Sequence, residues 1–207
     1  MGKPRGTSRG WKERQERDPY VQQARKDGWR SRAVYKLEEI DRKGRLLKPD
    51  MLIVDLGAAP GSWSQYVTEK LKGRVRIVAV DLLPMDSLPS VEFVQGDFTD
   101  DETLAAIRAA IGDDRVDLVM SDMAPNISGT RAVDQPRSMY LAELALDMCR
   151  EVLGKGGDFV CKLFQGEGID AFIAETRKRF ASVKVMKPKA SRPGSREVYL
   201  VARNYQI

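Results

Sequence analysis

The sequence predicts an α/β fold, a mostly parallel seven-stranded sheet flanked by helices and closed by an antiparallel hairpin. Two observations carry that prediction. Apolar runs at 51–54, 75–80, 91–95, 116–121 and 157–164 alternate with helically spaced segments at 62–72, 101–111, 136–153 and 169–180, and such alternation builds parallel sheets. The last two strand-like runs, 183–186 and 198–202, are joined by a basic, proline-containing loop too short for a crossover helix, so they must pair antiparallel. With 207 residues, 42% hydrophobic and 31% charged, the chain suits one domain over 31–207 after a basic, partly flexible extension over 1–30.

Residues 1–18 mix Gly, Ser, Arg, Lys and Glu and are expected to stay flexible until a partner binds them. Trp11 stands out there, an aromatic among arginines that either stacks on a nucleobase or docks on the body. From Ser31, a plausible N-cap, the spacing of Ala33, Val34, Leu37 and Ile40 predicts a helix ending near Gly44, with Lys36 off the apolar stripe. The first strand then runs into Asp55-Leu-Gly57-Ala-Ala-Pro-Gly61-Ser-Trp63. Leu52, Ile53 and Val54 read as a strand buried on both faces, and Gly57 and Gly61 allow backbone angles and close approaches that side chains forbid. The D-x-G-x-x-x-G spacing is neither the dinucleotide fingerprint nor the P-loop, both built for phosphate. S-adenosylmethionine fits instead, because its amino-acid end can use the loop and helix N-terminus while its positive charges favour a carboxylate such as Asp55. A tight strand-to-helix connection without a ligand is the plain alternative.

Composition narrows the chemistry. Cys149 and Cys161 lie in apolar patterns without C-x-x-C spacing, which suggests neither disulfide nor zinc and points to a reducing compartment. No run approaches the roughly 18 apolar residues of a membrane span, so a cytoplasmic protein with no membrane partner is expected. With no histidine, any general base must be Lys, Asp, Glu or Tyr. The net charge of +5 is unevenly spread: +6 over residues 1–32, −9 over 33–175 and +8 over 176–196. Basic ends flanking an acidic body fit a polyanionic partner such as RNA around a pocket that holds a cation, although solvated basic tails would look the same.

Ligands of such sheets bind beyond the carboxyl ends of the strands. Directly after successive apolar runs stand Asp55, Asp81, Asp97 and Asp122, and the fifth run contains Lys162. Asp81 follows Gly57 by 24 residues, about where an acidic residue grips ribose hydroxyls in related folds, which leaves Asp97 for the adenine amino group. Each aspartate could equally be a turn or helix cap. Lys162 lies within Phe159-Val-Cys-Lys162-Leu-Phe164, an apolar strand in which a lysine needs carboxylate partners. Glu197 opens the final antiparallel strand and so starts at the edge where the parallel strands end, so that Asp122, Lys162 and Glu197 converge if their strands are neighbours about 4.8 Å apart.

These residues also carry a resemblance. Asp55-Leu-Gly-Ala-Ala-Pro-Gly-Ser-Trp-Ser-Gln, Ser121-Asp122-Met-Ala-Pro-Asn, Lys162-Leu-Phe-Gln-Gly and Ser195-Arg-Glu197-Val-Tyr resemble the FtsJ-type RNA 2′-O-ribose methyltransferases, as do Tyr20-Val-Gln-Gln-Ala and Arg30-Ser-Arg-Ala-Val-Tyr-Lys36-Leu. The resemblance implies a Rossmann-like class I methyltransferase and is nearest to bacterial enzymes acting on a uridine ribose in large-subunit ribosomal RNA. It implies a catalytic tetrad of Lys36, Asp122, Lys162 and Glu197, with cofactor contacts at Gly61, Trp63, Asp81, Asp97 and Asp122. It further implies S-adenosylmethionine as cofactor, ribosomal RNA within the large subunit as partner, a monomer and no metal. Ser62 departs from the glycine expected of the bacterial enzymes.

A ribose hydroxyl becomes a useful nucleophile only as its proton is drawn off, and Lys162 would take that proton. Lowering a lysine from ~10.4 to roughly 7 or 8 amounts to about 4 kcal/mol, which burial and the charge of Lys36 could supply while Asp122 and Glu197 pull the other way. An RNA-binding assembly factor without turnover would be free to lose Lys162 or Glu197. Amino-group methylation favours Asn/Asp-Pro-Pro-aromatic after the fourth strand, where this chain has Asp122-Met-Ala-Pro125-Asn126.

Overall fold

The computed structural model describes residues 17–207. Two helices, α1 (Pro19–Asp27) and α2 (Val34–Gly44), lead into β1 (Met51–Leu56), α3 (Ser62–Lys70), β2 (Val75–Asp81), β3 (Val91–Gln95) and α4 (Asp101–Ile111). There follow β4 (Val116–Ser121), α5 (Arg131–Val152), β5 (Leu153–Phe164), α6 (Ile169–Arg177), β6 (Phe180–Met186) and β7 (Glu197–Tyr205). The seven strands form one sheet in the order β3-β2-β1-β4-β5-β7-β6. β1 to β5 are parallel, whereas β7 inserts antiparallel between β5 and β6.

Alternation along each strand divides the core between two faces. Leu52, Val54 and Leu56 join Ile107, Leu146 and Phe172 on the face covered by α4, α5 and α6. Met51 and Ile53 join Leu37, Ile40, Trp63 and Val67 on the face covered by α2 and α3. The order reverses between β1 and β4, and the crevice at their carboxyl ends is where such sheets take ligands.

Some boundaries differ from those the sequence suggests. The helix expected from 136 starts at Arg131, because Pro136, which reads as a first-turn residue, lies in the second turn. The α2 cap is Ala33 rather than Ser31, although Ser31 Oγ accepts the Ala33 N–H at 3.2 Å while donating to Ser62 Oγ at 2.8 Å. Residues 19–27 are helical within the stretch expected to be partly flexible, with Asp18 accepting from the Tyr20 N–H at 3.0 Å as the cap and Pro19 opening the first turn. Trp11 and the rest of residues 1–16 lie outside the described residues.

Candidate active site

Four elements deliver the tetrad to one place. Asp122 stands one residue past β4, whose Ser121 pairs with Cys161 of β5, so Asp122 and Lys162 are the next step along the same edge. Phe164 pairs with Glu197 and Lys162 with Tyr199, which sets the start of β7 beside the end of β5. Lys162 Nζ lies 3.0 Å from Asp122 Oδ1 and 3.8 Å from Glu197 Oε2, and donates to the Asp122 carbonyl at 2.9 Å. Lys36 comes from α2 to sit 2.8 Å from Glu197 Oε1, to which the Ser191 hydroxyl also donates at 3.1 Å. Lysines and carboxylates therefore alternate as Asp122, Lys162, Glu197, Lys36.

Their electrostatics follow from that alternation. Burial alone would depress the Lys162 ammonium, but Asp122 and Glu197 outweigh it, and Lys162 titrates above an ordinary lysine. Of the two opposing pulls the sequence leaves open, burial with Lys36 against Asp122 and Glu197, the carboxylates prevail because they form ion pairs with Nζ. Burial would likewise raise Asp122, yet Lys162 and Lys36 hold it below the usual carboxylate range. Tyr199, fully buried, donates to Asp122 Oδ1 at 2.5 Å, and the Lys36 ammonium stands 5.8 Å from its ring centre.

The loop between β1 and α3 lies next to this chain of charges. The Gly57 and Ala58 N–H groups donate to the Val80 carbonyl at 2.9 and 3.1 Å, and Gly61 takes a φ of 99° to start α3. A side chain at Gly57 would put Cβ 2.6 Å from Met123 Cγ, and Cβ at Gly61 would lie 2.8 Å from both Arg30 and Met85. Ser62, where glycine is expected, accepts the Ser31 hydroxyl at 2.8 Å, so its side chain joins α3 to the segment before α2. Trp63 lines the same cavity as Asp55 and Asp122, with its indole N–H donated to the Ala33 carbonyl at 2.8 Å. Asp81 Oδ2 accepts from the Ala59 N–H at 2.9 Å and Oδ1 from the Leu83 N–H at 2.8 Å, so it holds two loops and is not among the residues lining the cavity of Trp63 and Asp122. Asp97 Oδ1 accepts from the Thr99 N–H and hydroxyl at 2.9 and 2.8 Å, the turn role its residue type allows.

A model of the FtsJ-like methyltransferase family matches residues 29–205. The chain belongs to that family. A relative in Pseudomonas fluorescens (strain Pf0-1), named ribosomal RNA large subunit methyltransferase E, is 54% identical over 200 residues, 97% of this chain and 96% of the relative. Among solved structures, a Plasmodium falciparum protein described as a ribosomal RNA methyltransferase superposes with a TM-score of 0.77 at 30% identity, covering 86% of this chain and 98% of that one. Human methyltransferase-like protein 13, solved with SAH, has a TM-score of 0.59 at 16% identity over 83% of this chain and 80% of its own, a likeness of fold.

S-adenosylmethionine is the methyl donor of FtsJ-like methyltransferases, and the site's own chemistry accommodates it. Asp55 is 1% exposed; its Oδ2 accepts the Ser64 hydroxyl at 2.7 Å, and its Oδ1 has no hydrogen-bond partner among the described residues. Burial pushes its pKa up to about 7, and an orphaned, buried carboxylate oxygen on the wall of a ligand cavity is suited to a cationic ligand. Sequence reasoning placed Asp55 near the ligand but could not see its burial, which depends on Ser64 and the layers above it. Tyr199 was also missed; its place opposite Lys162 in the β5–β7 register was the one available signal.

Proposed function

We propose that this FtsJ-like methyltransferase transfers a methyl group from S-adenosylmethionine to the 2′-hydroxyl of a uridine ribose in large-subunit ribosomal RNA, with Lys162 as general base. The alternating chain of Asp122, Lys162, Glu197 and Lys36 carries this reading, because it poises an amine for a hydroxyl proton at the edge of the cofactor crevice. The naming of the 54%-identical relative supports the choice of RNA.

When bound, S-adenosylmethionine supplies a sulfonium-activated methyl group. Gly61 and Trp63 would shape its cavity, Asp81 would accept from its ribose, Asp97 would accept from its adenine amino group, and Asp122 would face the reacting end. Asp122 and Glu197 hold Lys162 in one orientation, and Lys36 neutralises the far oxygen of Glu197. Lys162 gives up its proton to solvent before turnover, and the neutral Nζ then takes the ribose hydroxyl proton as the oxygen gains the methyl group. We further propose that the enzyme works as a cytoplasmic monomer on the large subunit; no helix of the described residues is long and apolar enough to cross a membrane. Mapping ribose methylation in ribosomal RNA from cells lacking the protein, with and without a Lys162→Ala copy, tests the reading. One large-subunit uridine should lose its methyl group in both strains and regain it with the wild-type copy, and an unchanged methylation map rejects the proposal.

A further inference from the structure

The segment before α2 touches both halves of the site, and Arg30 is its hub. Its guanidinium donates to three main-chain carbonyls: Pro60 at 3.0 Å, in the loop bearing Gly57 and Gly61, and Asp86 and Ser87 at 2.8 and 3.0 Å, in the loop that follows Asp81. Its own N–H donates to Gln65 Oε1 at 3.1 Å in α3, and Gln65 Nε2 donates back to the Gly28 carbonyl at 3.1 Å. Residues 82–90 lack regular structure, and Leu82 and Leu83 are 64% and 65% exposed. The ends of that loop are held by Gln95 Nε2 on the Leu82 carbonyl at 3.2 Å and Thr68 Oγ1 on the Pro89 carbonyl at 3.4 Å, whereas Arg30 holds its middle.

We propose that Arg30 is a positioning residue of the cofactor site, clamping the loops after β1 and β2 in the spacing that the cofactor needs. The proposal rests on the cofactor site proposed above. A planar guanidinium suits the task because its fixed fork of donors can reach carbonyls on two loops at once, which a lysine's single nitrogen cannot reproduce. An arginine among basic neighbours would ordinarily be read as a phosphate contact. Here its donors are turned inward onto backbone, so removing it should loosen the loops and leave RNA attraction in place.

The test is calorimetric titration of the full chain and its Arg30→Met and Arg30→Lys variants with S-adenosylmethionine and S-adenosylhomocysteine, without RNA. Arg30→Met should weaken cofactor binding by about tenfold, as loss of charge-assisted hydrogen bonds to loop carbonyls implies, and Arg30→Lys should recover part of that loss. Amide hydrogen exchange should quicken over residues 83–88 in both variants. In steady state KM for the cofactor should rise while kcat at saturation stays within about twofold, since the reacting groups are untouched. RNA affinity and its salt slope should be unchanged. If wild type binds and a folded Arg30 variant binds equally well, the clamp is wrong and the cofactor site stands; if wild type does not bind, both fall. Loss of RNA affinity with a salt slope shallower by about one, at unaltered cofactor affinity, would make Arg30 a phosphate contact and overturn the proposal. Should Arg30→Met fail to fold, the same comparison is read from Arg30→Lys.

Discussion

Lys162 and Tyr199 face each other across the β5–β7 pair and meet at one atom, Asp122 Oδ1, which takes the ion pair at 3.0 Å and the phenol hydrogen bond at 2.5 Å. The phenol therefore competes with the ammonium for the same negative charge. Removing it with Tyr199→Phe leaves more of that charge to Lys162 and should raise the lysine further, moving the rising limb of the rate profile to higher pH and lowering kcat at neutral pH. A kcat profile unchanged in position would show that Tyr199 serves packing alone.

The wild-type profile has a sign of its own. Because Lys162 titrates above an ordinary lysine, the proposed role of its neutral amine as base requires kcat to climb about tenfold per pH unit from neutrality to about pH 9. A plateau beginning near pH 7 would identify a different base.

Replacing Lys162 separates charge from proton transfer. Lys162→Ala and Lys162→Arg should both lose methyl transfer by at least about a thousandfold while cofactor and RNA affinities change little, since a guanidinium keeps the charge but does not accept a proton. Single-turnover assays on the ribosomal substrate at saturating cofactor decide this. Substantial activity in Lys162→Arg would reduce Lys162 to a charge that orients the hydroxyl.

Asp55 should reveal itself in stability. Its pKa rises from 3.8 unfolded to about 7 folded through burial, so its protonated form is favoured by folding, and the associated stability is complete below pH 3.8 and lost as pH climbs to about 7. The full difference is about 4 kcal/mol. Asp55→Asn removes that dependence, so urea melts should show the variant gaining on wild type between about pH 4 and pH 7 and levelling off above that, while its affinity for the cationic cofactor falls. Parallel stability curves would place the Asp55 pKa near its ordinary value.

Cofactor and RNA binding should be separable by mutation. Asp81→Ala removes an acceptor and frees the Ala59 and Leu83 N–H groups, and calorimetry should find S-adenosylmethionine bound at least about tenfold more weakly. Neutralising the exposed Lys184, Lys187 and Lys189 together should instead flatten the salt dependence of RNA binding with cofactor affinity unchanged. An unaltered salt slope would leave those lysines as solvated surface.

Much of this arrangement was readable from the chain. Asp122 follows an apolar run, Lys162 interrupts one and Glu197 begins one, and the short 187–196 connection sets β7 antiparallel to β6, which starts Glu197 at the edge where the parallel strands end; the β5–β7 pairing that brings it to Lys162 lies beyond what that connection fixes. What escaped were relations between distant residues. The burial of Asp55, the inward turn of Arg30 and the hydroxyl of Tyr199 on Asp122 are set by partners 9, 30 to 57 and 77 positions away, which no local period encodes. The α1 helix was a different kind of miss. Its Asp18-Pro19 start was visible, but its basic, weakly apolar sequence relies on Asp18 for anchorage through ion pairs to Arg32 and Arg192.

The insertion of β7 between β5 and β6 has a consequence for how the molecule is made. As a ribosome delivers the chain, β1 to β5 can assemble while β6 has no neighbour in the sheet, because its sole partner there is the strand that follows it. The β5 edge stays bare until then, displaying unpaired backbone groups beside Lys162. Glu197 and Tyr199 arrive together with the strand that covers this edge, so the nascent chain brings its tetrad together in the same event that pairs the bare β5 edge.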